Sequence, residues 1–363
     1  MKLVVLGLSI TSSWGNGHAT TYRGLLRELT QAGHEVLFLE RDVPWYAAHR
    51  DLPNPVFCTT RFYGGLEELQ RHFGRAIAEA DAVILGSYVL DGAEIGDWLC
   101  RTARGARVFY DIDTPVTLAK LARGEHDYLA PALVPRFDLY LSFAGGPTLA
   151  RLEREFGAVM ARPLYCSVDE RHYRPRPTPA RWDLGYLGTY SSDRQPKLEN
   201  LLLEPARRLG RRRFVVAGPL YPETVRWPAN VERLQHLAPP DHPAFYAAQR
   251  YTLNLTRDDM VVAGWSPSVR LFEAASCGVP IISDWWAGLD EFLRPKAEIL
   301  LAETGEDVAR IIRDTPEAQR LEIARAARDH VLAHHSSRVR AAECLALLHE
   351  AARRRAGERR AAG

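Results

Sequence analysis

The chain has little cysteine, no long apolar run and almost no net charge. Five cysteines, Cys58, Cys100, Cys166, Cys277 and Cys344, are scattered through 363 residues. No two form a CxxC pair and no histidine cluster accompanies them, which argues against a disulfide framework or a structural zinc site. Buried reduced thiols in a reducing compartment are the expectation, and a cytoplasmic location with it. No apolar run approaches the roughly 18 residues of a membrane span. The opening "MKLVVLGLSITSS" is short and strand-like rather than a secretory leader. A formal charge of +2 gives no global case for nucleic acid binding. The basic tail "RRRAGERRAAG" reads as a frayed, solvated end, with at most a weak peripheral attraction to an anionic membrane.

What is present is alternation. At about 150 residues per domain, the length favours two domains. In the first half, "KLVVLGL", "EVLFLE", "DAVILGS", "ARVFYDI" and "DLYLSF" are strand-like runs separated by helical stretches such as "ATTYRGLLRELTQAG". "RHYRPRPTPAR", 171–181, holds three prolines and no apolar period, so it is the candidate linker and part of a hinge. The rhythm then restarts with "DLGYLGT", "RFVVAGP", "YTLNLT" and "AEILLA", and 306–354 is helical. This predicts an α/β protein of two facing Rossmann-like domains with parallel sheets. The expected boundaries are 1–172, a linker at 173–181, 182–334, and a C-terminal helix with basic tail at 335–363.

Ligands of such sheets bind at the C-terminal ends of the strands, so the polar residues there carry the chemistry. After the first strand, "SITSSWGNGHATTYRGLL" offers Gly15, Asn16 and Gly17 as a turning loop and His18 at a helix entrance. The third position of a GxGxxG fingerprint is Thr20, which disfavours a nicotinamide cofactor. His18 is a candidate general base, or a group that orients an acceptor hydroxyl; the alternative is a histidine that merely caps or packs. In "ARVFYDIDTPVTL", strand alternation places Asp111 and Asp113 on one side. A DxD metal site is one reading; the preferred one makes Asp113 a strand-end carboxylate reaching the acceptor, and an N-cap role is the plain alternative.

In the second half, "DLGYLGTYSSDRQPKLENLL" carries Gly188, Tyr190 and Arg194 in and after a strand-end loop, whose backbone N–H groups and guanidinium suit a diphosphate. "YTLNLTRDDM" ends in Asn254 and Arg257, and a flexible "DDMVVAGWSPS" follows. "SPSVRLFEAASCGVPIISD" then predicts a helix with Ser266 as N-cap, Pro267 in the first turn, Gly278 at its end and a buried strand after it. Ser268 lies in the same element. Arg270 and Glu273, three apart, stand inside this apolar unit. Arg194, Arg257 and Arg270 suit a leaving diphosphate held without metal, and a carboxylate such as Glu273 suits two vicinal ribose hydroxyls. The plain alternative is an exposed Arg270–Glu273 ion pair.

"SPSVRLFEAASCGVPIISDWWAGLDEFL", continuing to "EDVARII", resembles the GT-B glycosyltransferases, more narrowly the CgeB-like proteins with a group-1-type donor domain. "YDIDTP" and "LGTYSSDRQPKLENLL" are similar to the same group. The resemblance implies a hexosyltransferase-type enzyme whose C-terminal domain holds a nucleoside diphosphate sugar, UDP being the expected nucleotide. Glu273 matches the glutamate that binds the donor ribose, Arg270 belongs to the same R-x-x-E element, and Gly188 and Arg194 match the diphosphate loop. It also implies C-terminal helices that cross back to the first domain. Where many retaining relatives carry a further glutamate, eight positions before the ribose one, this chain has Trp265. No cofactor or metal is expected. The acceptor hydroxyl, on a glycan, protein, lipid-linked sugar or metabolite, is open, as is inversion against retention. A nucleotide-sugar epimerase and a non-catalytic sugar-nucleotide-binding module are the alternatives.

Overall fold

The computed structural model describes residues 1–362, with side chains through residue 357. Two compact units divide the chain: Met1–Cys166 together with the residues from Ser337 on, and Ser167–Ser336. The division differs from the expected boundaries. The proline-rich stretch 173–181 belongs to the second unit, because its first residue anchors there. Tyr173 is 2% exposed, and its carbonyl accepts from Ser276 Oγ at 2.5 Å.

The first unit holds strands β1 (Lys2–Gly7), β2 (Glu35–Arg41), β3 (Thr59–Tyr63), β4 (Ala82–Gly86), β5 (Ala106–Asp111), β6 (Leu139–Ser142) and β7 (Ala161–Pro163). They form one parallel sheet in the order β3-β2-β1-β4-β5-β6-β7. The central strands are apolar on both faces because helices cover both. Leu3 and Val5 pack with Tyr22, Leu25 and Leu29 of the helix His18–Gln31 and with Cys344 and Leu348 of the C-terminal helix. Val4 and Leu6 pack on the other face with Leu69 and Ile77 of the helix Leu66–Glu79. Each such side chain contributes about 1.5–3 kcal/mol by leaving water.

The second unit holds β8 (Trp182–Leu187), β9 (Phe214–Ala217), β10 (Val231–Leu234), β11 (Gln249–Asn254), β12 (Ile281–Ser283) and β13 (Leu300–Leu301). Its sheet is also parallel, in the order β10-β9-β8-β11-β12-β13. The helix predicted over "QPKLENLLLEPARRLG" runs from Gln195 to Arg208 with a π turn at Glu199–Leu203, just before Pro205. That turn accommodates a residue with no N–H to donate.

Both units are thus Rossmann-like α/β layers, as the alternation predicts. Three strands were not visible in the sequence: β3, β7 and β10, all at sheet edges. An edge strand needs little apolar side chain; β3 buries only Tyr63 and β10 only Val231. The basic tail is not frayed where it is described. It continues the helix Ser337–Ala362, and Arg355 donates to the carbonyls of Ala103 and Arg104 at 3.0 and 3.2 Å. The side chains of 358–362, and Gly363, which belong to the stretch expected to attract an anionic membrane, lie outside the described residues. Among the described residues no helix is long and apolar enough to cross a membrane, and all five cysteines are free thiols.

Candidate functional site

The helix that carries Arg270 and Glu273 runs Val269–Ser276, two residues later than the sequence suggests. Ser268, not Ser266, is the N-cap: its hydroxyl accepts the Arg270 N–H at 3.4 Å, while Ser266 is buried. At the other end Gly278, with φ 75°, closes the helix as expected. Its N–H donates to Ala275 O, and the Val279 N–H reaches back to Ala274 O. This double closure needs a left-handed residue, which glycine supplies at least cost. The segment before the helix is not flexible coil throughout. Asp258–Ala263 is helical, and its first N–H donates to Asp193 Oδ2 at 3.1 Å.

In the second sheet, successive strands proceed outward from β8 to β10 on one side and from β11 to β13 on the other. The order reverses between β8 and β11, the place where open α/β sheets bind ligands. Arg270 bridges that place. Its Nε donates to Leu187 O at 2.5 Å, at the end of β8, and its Nη1 donates to Asn254 Oδ1 at 3.1 Å, at the end of β11. Nη1 also lies 3.3 Å from Ser268 Oγ. Asn254 is fully buried and holds Ser283 Oγ of β12 through its amide nitrogen at 3.0 Å. A side chain at Gly188 would meet the Tyr186 hydroxyl at 2.5 Å and Arg270 Nη2 at 3.1 Å, so only glycine leaves this space open.

Arg194 and Arg257 join Arg270 there. Burial, chiefly, together with the guanidiniums of Arg270 and Arg257, holds Arg194 below its ordinary pKa. Arg194 Nη2 donates to Thr189 O at 2.7 Å, and Arg257 Nε lies 3.8 Å from Asp193 Oδ2. The three guanidiniums act on one another electrostatically, and the carboxylate of Asp193 stands beside Arg257. Two polar atoms in this region, Tyr186 Oη and Arg194 Nε, are buried with no hydrogen-bond partner among the described residues. Within the loop, the Gly188 and Tyr190 N–H groups are bonded to Ala217 O and Pro219 O. Tyr190 packs edge-on against Tyr221, with ring centroids 5.6 Å apart.

Glu273 takes a separate direction. Arg270 and Glu273 make no ion pair with each other, and neither lies on an exposed face. The Glu273 carboxyl is 5% exposed and accepts the Tyr246 hydroxyl at 3.2 Å; Tyr173 also hydrogen-bonds to it. His242 Nδ1 lies 4.0 Å away and is bonded to the Tyr173 hydroxyl at 3.1 Å. Burial pushes the Glu273 carboxyl up to about 7, against the opposing pull of the two tyrosines and Arg270. Burial also pushes His242 down to about 4. The carboxyl of Glu273 thus sits buried among hydroxyl groups, with no arginine or lysine paired to it among the described residues.

The first sheet reverses its order between β1 and β4. The loop leaving β1 is pinned from below by Glu40, which is fully buried. Its carboxylate accepts from Ser9 Oγ at 2.8 Å, Ile10 N at 2.8 Å, Thr11 N at 3.1 Å and Thr11 Oγ1 at 2.5 Å. Gly15, with φ 61°, turns the chain, and Gly17 takes the N-cap position of the next helix. Asn16 turns inward: its amide donates to Ser9 O and Ser12 O, and its Oδ1 accepts the His18 N–H at 3.1 Å. It therefore builds the loop. His18 stands at the helix start, its ring 5.7 Å from Tyr88, with burial holding its pKa down and Asp113 opposing.

Asp113 occupies the N-cap position of the helix Thr114–Ala122 but does not cap it with its side chain. Its Oδ2 instead accepts the Tyr88 hydroxyl at 2.8 Å. Asp111 and Asp113 do not act as a pair. β5 ends at Asp111, so strand alternation no longer governs Asp113. Asp111 is fully buried; Tyr140 donates to its Oδ2 at 2.6 Å, and Thr117 to its Oδ1 at 2.7 Å. Burial pushes its carboxyl up to about 6.

The structure therefore gathers Gly188, Arg194, Asn254, Arg257, Ser268 and Arg270 at one sheet reversal, and His18 and Asp113 at the other. Trp265 is not a ligand-type substitute for a glutamate. Its backbone has φ 42°, its indole donates to Glu291 Oε1 at 2.7 Å, and its ring lies against Gly288. Sequence reasoning missed Glu40, Tyr88, Tyr173, His242, Tyr246 and Lys197. Lys197 donates to Thr256 O at 2.7 Å and lies 3.4 Å from Asp284. Only Lys197, one helical turn after Arg194, had a readable signal.

Residues 194–346 match the family described as glycosyl transferase-like. No curated protein sequence matches the chain. Among solved structures, the sucrose-phosphate synthase of Thermosynechococcus elongatus superposes with a TM-score of 0.70 at 15% identity, covering 96% of this chain and 98% of that one. Anabaena HepE in complex with UDP-glucose gives 0.71 at 15%, covering 95% and 99%. An alpha-glucosyltransferase in complex with UDP-glucose and DNA containing an abasic site gives 0.70 at 11%, covering 96% and 99%. Over nearly its whole length the chain has the GT-B fold of these structures, and residues 194–346 match the glycosyl transferase-like family.

Proposed function

We propose that the protein is a glycosyltransferase that moves a sugar, of the hexosyl type, from a UDP-sugar to a hydroxyl acceptor, and that its nearest kin are the CgeB-like proteins. The observation that carries this reading is the convergence of Arg194, Arg257 and Arg270 on Gly188, where the order of the second sheet reverses. As the bond between the sugar and the diphosphate breaks, the electron pair passes to the departing oxygen. Fixed guanidiniums aimed at that oxygen stabilise the charge as it develops, with no metal required. The orphaned Tyr186 hydroxyl and Arg194 Nε then gain an acceptor.

Glu273 receives the ribose hydroxyls, joining the donors already supplied by Tyr173 and Tyr246. On the first unit, His18 or Asp113 orients the acceptor hydroxyl and takes its proton. The complexes of HepE and of the alpha-glucosyltransferase with UDP-glucose support the choice of donor.

The test is transfer from UDP-sugars by wild type, His18→Ala and Asp113→Asn, beside UDP affinity. Both variants should bind UDP as wild type does, and one or both should lose transfer. If neither loses it, the acceptor-side assignment is wrong. Incubation with donor alone separates transfer from epimerisation, and UDP binding without turnover would mark a binding module.

A further inference from the structure

Tyr88 has φ 65°, a left-handed backbone conformation that a residue with a side chain adopts only at a cost. It leaves the C-terminal end of β4 one residue after Ser87. The Ser87 N–H donates to Tyr110 O at 3.0 Å, and the Ser87 hydroxyl accepts the Ile112 N–H at 3.1 Å. These bonds lock the turn against the end of β5. The strained backbone places the Tyr88 ring between two groups already named: His18, 5.7 Å away, and Asp113, whose Oδ2 accepts the hydroxyl at 2.8 Å. Behind it stands Tyr128, 5.0 Å away and tied to Thr117 Oγ1 at 2.9 Å. Burial, chiefly, and the Asp113 charge keep the Tyr88 hydroxyl protonated, so it is the donor.

Resting on the glycosyltransferase reading above, we propose that Tyr88 is a positioning residue that holds the Asp113 carboxylate beside His18, so that an acceptor hydroxyl meets the pair in one geometry. Tyr88 acts through Asp113 and needs no contact with the acceptor.

Non-additivity tests this. Tyr88→Phe keeps the ring against Tyr128 and removes only the donor. In the full chain, kcat for transfer should fall roughly 10- to 100-fold, the scale of a misplaced catalytic group. The KM for the UDP-sugar and the thermal midpoint should stay near wild type. The double variant Tyr88→Phe, Asp113→Asn should be no slower than Asp113→Asn alone. Losses that multiply, an undiminished kcat in Tyr88→Phe, or a kcat loss matched by a collapse of the thermal midpoint would each overturn the inference. Absence of transfer by the wild type would instead defeat the glycosyltransferase reading, and this inference with it.

Discussion

Arg270 Nη1 lies 3.1 Å from Asn254 Oδ1, a hydrogen bond at the point where the second sheet reverses its strand order. With the bond from Arg270 Nε to Leu187 O, it fixes a guanidinium between the ends of β8 and β11. A planar, forked cation held at two corners suits the proposed diphosphate site. Arg270→Ala should weaken UDP binding by about 1.5–3 kcal/mol while leaving uridine binding little changed. Arg270→Lys should not restore it, because a point charge cannot keep both corners. Calorimetry with UDP and uridine checks this; equal losses for both ligands would contradict a phosphate role.

Glu273 makes stability depend on pH in a direction that can be worked out. Its carboxyl titrates at about 7 in the folded protein against 4.5 for an ordinary glutamate. Between those values the folded state holds a proton that the unfolded chain has released. The resulting stability is present below about 4.5 and lost as pH rises through about 7, a span on the order of 3 kcal/mol. His242 runs the other way: its folded value of about 4 against 6.5 makes stability rise with pH over that window. The two slopes oppose in the wild type. Glu273→Gln should therefore gain stability relative to wild type as pH rises from 5 to 8, measured by urea unfolding. A difference independent of pH would contradict the burial of an ionisable Glu273.

Glu40 should matter for stability although it is far in sequence from the loop it holds. Glu40→Ala leaves four donors of Ser9, Ile10 and Thr11 without their acceptor. Hydrogen bonds to a charged group are each worth about 1.5–3 kcal/mol, and buried donors left unpaired add to that cost. A loss of about 3 kcal/mol or more is expected by denaturant unfolding. A loss below about 1 kcal/mol would show that the loop is held by other contacts.

Transfer should survive a chelator. The proposed diphosphate site relies on arginines, and Asp111 is committed to Tyr140 and Thr117. Activity in excess chelator should match that in magnesium or manganese. Complete loss, restored by manganese, would bring back a metal role for the aspartates.

Much of this was legible in the sequence, and the remainder has identifiable causes. The central strands announced themselves because burial on both faces demands unbroken apolar runs, as in "LVVL" of β1 and "AVIL" of β4. The edge strands did not, since β10, "VERL", fully buries only Val231 and carries two charged residues. Arg270 and Glu273 were conspicuous as charges in an apolar helix, yet their partners lie far along the chain. Leu187 is 83 residues from Arg270, and Tyr246 is 27 from Glu273. The cap was misplaced by two residues because "SPS" offers two serines, and only backbone geometry selects Ser268. Asp111 and Asp113 looked paired because alternation was extended one step past the strand's end. Tyr88 carried no signal at all: a tyrosine after a strand is ordinary until its φ is seen.

The central claim is that the second unit holds a UDP-sugar on Glu273 and the three arginines. Calorimetry of UDP binding to Glu273→Ala tests it most directly, with circular dichroism showing that the variant remains folded. Affinity should fall by roughly 1–3 kcal/mol, the worth of charged hydrogen bonds to the ribose. Unchanged affinity in a folded variant would contradict the ribose assignment and the donor site built on it.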